Sequence, residues 1–262
     1  MLERHAREMW SSLGRAIGAA GDADFQAAVR AFLAGHVAFD NYLLIAYVGA
    51  EPPVILSRAS ASPLVHAGIE SDYARAHYLL DPFYIAHLAA VPAGVHRLTD
   101  LAPDKFRGTA YFERYYERTT LLDELAFFAY PANGWTLNIC IGRDETSGLS
   151  FSKADLCRAR AIAPVVTALL ETRYASASLH EQRAKSDPVA DLRRRLRSRE
   201  GIEITPRQAE VAMLILRGHS AKSISDVLGI SWQTVRVFRR QLYERCRVTS
   251  QAELFAKVMP LL

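Results

Sequence analysis

The chain predicts an α/β domain, with a central antiparallel sheet flanked by helices, over residues 1–182; a basic linker (183–201) joins it to an all-α domain of four helices (202–262). Three observations predict this. Helix-period and strand-period stretches alternate up to residue 182, four short capped helices follow residue 204, and the charge changes sign between them. Residues 1–182 carry a formal charge of −4, whereas 183–200 and 201–262 carry +4 each, which leaves +4 for the whole chain.

In the first part, residues 1–20 and 22–37 read as helices, the second capped by Asp22 with Phe25, Val29, Phe32 and Leu33 on one face. Segments 42–48 and 54–58 are short and apolar, and Gly49 and the Pro52-Pro53 pair split them, which suits adjacent strands. Helical spacing returns over 72–78, 82–90 and 105–119. Segments 125–130 and 136–142 read as a second strand pair turning through Pro131 to Gly134. Ser152 then opens a long helix to about Glu181, with Leu156, Ile162, Val166 and Leu169 inside. Helices, a sheet with inserted helices, and a closing helix make a PAS/GAF-like arrangement of the kind used by sensor domains. The linker contains Pro188 and a run of arginines, compatible with a short helix from a cap at Asp187 to Arg199. Its arginines read as a solvated face that can also meet phosphates.

The second part is sharper. Thr205 caps a helix with Pro206 first, and Gln208 stands three residues on, as a capping box requires. Val211, Leu214 and Ile215 form its inner stripe, and Gly218 ends it. Ser220 caps a helix over 221–228, with Ile224, Val227 and Leu228 inward and Gly229 as its stop. Ser231 caps a third over 232–245, buried through Val235, Phe238 and Leu242, and Ser250 starts a fourth through Leu254, Val258 and Met259. A short helix, a tight turn and a longer basic helix form a helix-turn-helix, which offers one helix to the major groove of DNA.

With Val235 inward, Gln233, Arg236, Val237 and Arg240 face out. An Arg fork matches the two acceptors of guanine, Gln matches adenine, and Val meets a thymine methyl. Ser231, Thr234, Lys222 and Arg239 suit phosphate oxygens, which fix register without reading sequence. The bland alternative is a charged helical face that binds protein.

Other classes find little support. No apolar run reaches the length of a membrane helix, and Glu3, Arg4, Arg7 and Glu8 stand where a secretory signal needs an apolar core, so the cytoplasm is the expected address. Cys140, Cys157 and Cys246 show no C-x-x-C spacing, and His77, His87 and His96 share no helix face, so neither a disulfide framework nor a metal site is expected. No phosphate-cradling loop and no nucleophile–base motif occurs, and neither a cofactor nor catalysis is expected. Asp123 and Glu124 are carboxylate neighbours, but strand neighbours point to opposite faces.

Residues 204–254 resemble the LuxR-type DNA-binding domain without a gap. Thr205, Pro206, Arg207, Glu210, Val211, Gly218, Lys222, Ile224, Leu228, Gly229, Ile230, Ser231, Thr234 and Val235 carry the match. The resemblance implies dimeric DNA binding, with Arg236, Val237 and Arg240 at base-contact positions and the fourth helix often pairing subunits. Phe238, Cys246 and Arg247 depart from the usual His, Leu and Gly.

From about Tyr73 to Phe151 the first part resembles, more loosely, the ligand-binding domain of LuxR-type quorum receptors and their orphan relatives, through Asp81-Pro82, 106–112 and 122–125. The resemblance implies that Asp81 accepts a hydrogen bond from a signal's amide. No Trp lies between Leu43 and Asp81, and Tyr73 stands one residue off the usual spacing, so the likeness is to receptors of molecules other than acyl-homoserine lactones. Tyr73, Tyr78, Tyr84, Phe112 and Trp135 are the aromatic pocket candidates, although aromatics three and four apart equally describe a core. Asp81 before a proline is also an ordinary helix cap. The expected protein is a homodimeric regulator of a near-palindromic double-stranded DNA site that answers a small-molecule effector; the alternative is a ligand-independent dimerisation domain in front of the same reader.

Overall fold

The computed structural model describes residues 2–20, 24–74, 76–177 and 188–261. Helices α1 (Leu2–Gly18) and α2 (Phe25–Ala34) lead into strands β1 (Asn41–Tyr47) and β2 (Val54–Ser60). Then follow α3 (Pro82–Leu88), β3 (Gly94–Arg97), α4 (Leu98–Leu101), β4 (Leu121–Ala129), β5 (Thr136–Asp144) and α5 (Lys153–Tyr174). The five strands form one antiparallel sheet in the order β2-β1-β5-β4-β3.

Strand alternation gives this sheet two different faces. Tyr42 and Leu44 of β1, Leu125 and Phe127 of β4, and Leu137, Ile139 and Ile141 of β5 pack with α2 and α5 into one core. The opposite face carries Ile45, Tyr47, Ala126, Phe128 and Cys140, and packs against the irregular chain around α3. That chain corrects two expectations. Segment 72–78 is not one helix but a π turn at Ile69–Tyr73 and a 3-10 turn at His77–Leu80. Segment 105–119 breaks into Phe106–Gly108, Phe112–Tyr116 and Glu117–Thr119. Thr109 stops the first break, since its Oγ1 donates to the Phe106 carbonyl and accepts from the Phe112 N–H, replacing backbone bonds of a continuous helix. Helix α2 starts at Phe25, and the expected cap Asp22 lies outside the described residues, as do Asp187 and the expected end of α5 near Glu181.

The C-terminal part holds α6 (Pro188–Glu200), α7 (Pro206–Arg217), α8 (Ala221–Leu228), α9 (Trp232–Cys246) and α10 (Gln251–Val258). Within the expected linker, α6 buries Leu192 and Leu196 completely, in the same core as α7 and α10. Thr205 and Gln208 form the reciprocal capping box of α7, while Ser220, Ser231 and Ser250 each accept a backbone N–H at the start of their helices. Gly218 and Gly229 end α7 and α8 in the left-handed conformation. Val227 is a correction: it was expected inward but is exposed, and Ile224 carries the burial of α8.

Candidate functional site: a basic reading helix and an internal cavity

The α8–α9 unit presents a basic outward face. Val235 and Leu242 anchor α9 in the core at 0% exposure, which turns Gln233, Arg236, Val237, Arg239 and Arg240 to the surface. The Arg236 guanidinium lies 5.2 Å from the Trp232 ring centroid, and Arg239 lies 5.1 Å from that of Tyr243. Such cation–π contacts restrict long side chains and thereby pre-order them. Arg240 lies 3.8 Å from Glu244 in an exposed, weakly held ion pair. Ser231 and Thr234 share a 2.8 Å hydroxyl contact at the start of α9, and Lys222 is exposed on α8.

Within the first part, a cavity of about 50 Å³ lies between the sheet and the turns before α3. Asp81 and Tyr73 line it, as the sequence suggested. The Tyr73 hydroxyl donates to Asp81 Oδ2 at 2.5 Å, and Tyr47 touches the Tyr73 hydroxyl at 3.2 Å. Oδ1 of the same carboxyl accepts the Phe83 N–H at 2.8 Å and so caps α3. The cap and pocket readings of Asp81 are therefore compatible, one oxygen serving each. Burial pushes this carboxyl up to about 6, with the Tyr73 and Phe83 hydrogen bonds pulling the other way.

Sequence reasoning missed the second carboxyl of the cavity, Glu124. Asp123 points to the other side, paired with Arg97, as strand alternation requires. Glu124 Oε2 accepts the Tyr116 hydroxyl at 2.7 Å. Burial pushes Glu124 up to about 8, Tyr116 opposes the shift, and the charges of Asp81 and Asp123 add to it. The signal was present in the strand parity, since Glu124 shares a face with Ala126 and Phe128.

The remaining aromatic candidates do not line this cavity. Tyr78 and Tyr84 form an edge-on pair at 4.7 Å in the adjoining core, with Tyr84 5.7 Å from Tyr47. Phe112 is partly exposed and borders a separate surface cleft near Phe106. Trp135 lies on the opposite face of the sheet, in the core with Phe25 and Tyr174, because it shares the parity of Leu137 and Ile139.

Cavity and reader adjoin. Arg217, the last residue of α7, donates from Nε to the Leu79 carbonyl at 3.0 Å, two residues from Asp81. The Gly218 carbonyl accepts the Lys105 N–H at 3.0 Å, and Asp104 accepts the Ser220 N–H at 3.1 Å. The His77 and Phe255 rings lie 6.1 Å apart. Burial pulls the Arg217 guanidinium down to about 10, so it stays charged at neutral pH.

Residues 203–258 match the model of the GerE family, described as bacterial regulatory proteins, luxR family. The chain is also 30% identical over 181 residues to the "Putative HTH-type transcriptional regulator in exeN 3'region" of Aeromonas salmonicida, covering 67% of this chain and 91% of that one. The chain belongs to the LuxR family of transcription regulators. For the N-terminal part, the crystal structure of the VqsR LBD domain from Pseudomonas aeruginosa supports the fold, with a TM-score of 0.53 at 23% identity over 64% of this chain and 97% of that one. The α7–α10 unit is thus the DNA-binding helix-turn-helix of a LuxR-family regulator, and the sheet domain shares the fold of the VqsR LBD domain. No helix among the described residues is long and apolar enough to cross a membrane.

Proposed function

We propose that this LuxR-family regulator is a cytoplasmic homodimer that reads a near-palindromic DNA site and adjusts its binding to a small molecule held in the sheet domain. The proposed units are residues 1–182 for sensing and dimerisation, 183–201 as linker and 202–262 as reader. Arg236, Val237, Arg240 and Gln233 contact bases, whereas Lys222, Ser231, Thr234 and Arg239 contact phosphates. Asp81 and Tyr73 contact the effector.

One observation carries the sensing part: the wall of the cavity continues into the reader's docking surface. The 3-10 turn at His77–Leu80 runs from the Arg217 and Phe255 contacts directly into Asp81. An effector that engages Asp81 pulls on this turn, and the reader's seat moves with it. A differential affinity of the effector for the two seats is the coupling free energy. The small size of the cavity favours the second reading, a domain that only dimerises.

Melting the full chain against a library of small molecules separates the two. Ligand bound only by the folded state raises the melting point. The sensing reading expects at least one compound that does so, shifts DNA affinity, and loses roughly ten-fold in affinity on Asp81→Asn, the scale of one charge-assisted hydrogen bond. A library without effect on melting or DNA binding favours the dimerisation domain.

A further inference from the structure

We infer that Trp232 is a positioning residue for base reading: its ring holds the Arg236 side chain toward the N-terminal end of α9 while the guanidinium donors stay open, so that Trp232 sets the strength of the sequence preference that Arg236 expresses. This rests on the proposal that Arg236 contacts a base, and it names the residue that acts through it.

A packing role does not account for Trp232. Its side chain is 47% exposed and belongs to neither core cluster, whereas Val235, Leu242 and Cys246 are buried and hold α9 in place. The helix start is fixed by its cap, since Ser231 Oγ accepts the Thr234 N–H at 3.1 Å. An indole left in water forgoes the free energy that burial supplies, and the fold gains no core from it. The contact that Trp232 does make is with Arg236, four residues on and therefore on the same side of the helix. The guanidinium carbon lies over the ring, 5.2 Å from its centroid.

That contact restrains the arginine without consuming its donors. Cation–π attraction acts between the charge and the ring and commits no N–H to an acceptor. Arg236 has no hydrogen bond or ion pair among the described residues, so its planar fork is available for the two acceptors of a guanine. An arginine carries much rotamer freedom, and order already present in the free protein lowers what binding must supply.

Direction separates Arg236 from the other outward arginines of α9. Arg239 lies over Tyr243, and Arg240 lies beside Glu244, each four residues toward the C-terminal end. Arg236 is drawn the opposite way, toward the end from which a recognition helix meets base edges. Arg240 must also leave a carboxylate before it can donate elsewhere, whereas Arg236 leaves nothing behind.

The test uses the full chain and two duplexes. One is the site that the wild type selects from a random library. The other is the same site changed, in both halves, at the base pair where Arg236→Ala loses its preference. Trp232→Leu keeps an apolar side chain with good helix propensity and removes the π face. By fluorescence anisotropy at fixed salt, it is expected to weaken the selected duplex about two- to five-fold per half-site, the scale of one exposed cation–π contact, and to leave the changed duplex unaffected. Trp232→Phe is expected to retain most of the wild-type affinity, and both variants to keep the wild-type melting temperature. In the Arg236→Ala background, Trp232→Leu is expected to have no further effect on either duplex. Wild-type affinity of Trp232→Leu for the selected duplex overturns the inference. So does an equal loss on both duplexes that persists in the Arg236→Ala background, which makes Trp232 a DNA contact of its own; both results leave base reading by Arg236 in place. Full sequence preference in Arg236→Ala overturns that reading and the inference together.

Discussion

The two carboxyls of the cavity show how one residue type takes different work from its surroundings. Asp81 divides its oxygens between a helix cap and the Tyr73 hydroxyl, whereas Glu124 has one hydroxyl donor and also feels the charges of Asp81 and Asp123. Both carboxyls sit above their ordinary value near 4, at about 6 and about 8, so the folded protein holds protons that the unfolded chain releases. The sign follows from linkage. Where the native state binds more protons, stability falls as pH rises, here from about 4 through about 8. Replacing Glu124 by Gln removes its share of that loss. The melting temperature of Glu124→Gln is expected to match wild type at pH 4.5 and to exceed it at pH 8.5. Equal melting temperatures at both pH values would contradict the buried, protonated state assigned to Glu124. Tyr116 and Asp81, which face it, and Asp123, whose charge acts on it from the other side of the strand, are unchanged in this variant.

Helices whose ends are written locally were legible at the scale of elements. Thr205, Ser220 and Ser231 with Gly218 and Gly229 bound α7, α8 and α9 because capping needs only the residue and its next few neighbours. Segment 105–119 was not legible, because its Tyr and Phe spacing is helical while Thr109 diverts the backbone bonds through its hydroxyl. Strand β3 was missed because four half-buried residues give too short a period. Trp135 was placed by residue type rather than by strand parity, and parity separated Glu124 from Asp123 without showing which of the two faces the cavity. The left-handed caps make separate predictions. At Gly218 (φ +94°) an added Cβ would meet Thr109 Cγ2 at 2.6 Å and Phe106 Cα at 2.8 Å, whereas at Gly229 (φ +62°) it meets nothing within 4 Å. Gly229→Ala is expected to cost about 1–2 kcal/mol of backbone strain, and Gly218→Ala clearly more, by chemical denaturation of the full chain. Equal costs would mean that the reader does not dock on the body in solution. Arg247 occupies the left-handed cap of α9 at φ +54°, where the family usually has Gly. Arg247→Gly is expected to raise stability by about 0.5–1 kcal/mol, and a loss would show that the Arg side chain offsets its own strain.

For the whole molecule, the sheet domain meets the reader at the end of α7 and at α10, while the outward face of α9 stays free. This arrangement leaves the basic outward face of α9 accessible. Charge supports the division, with the excess positive charge confined to residues 183–262. In the proposed function, two copies of α9 read DNA symmetrically through Arg236 and Arg240. Binding-site selection from random duplexes by the full chain tests it most directly, with Arg236→Ala and Arg240→Ala selected in parallel. The expected result is a near-palindromic site with two half-sites, in which each variant loses roughly 1–3 kcal/mol of discrimination at one base pair, repeated symmetrically in both halves. A single asymmetric site, or full sequence preference retained by both variants, would contradict it.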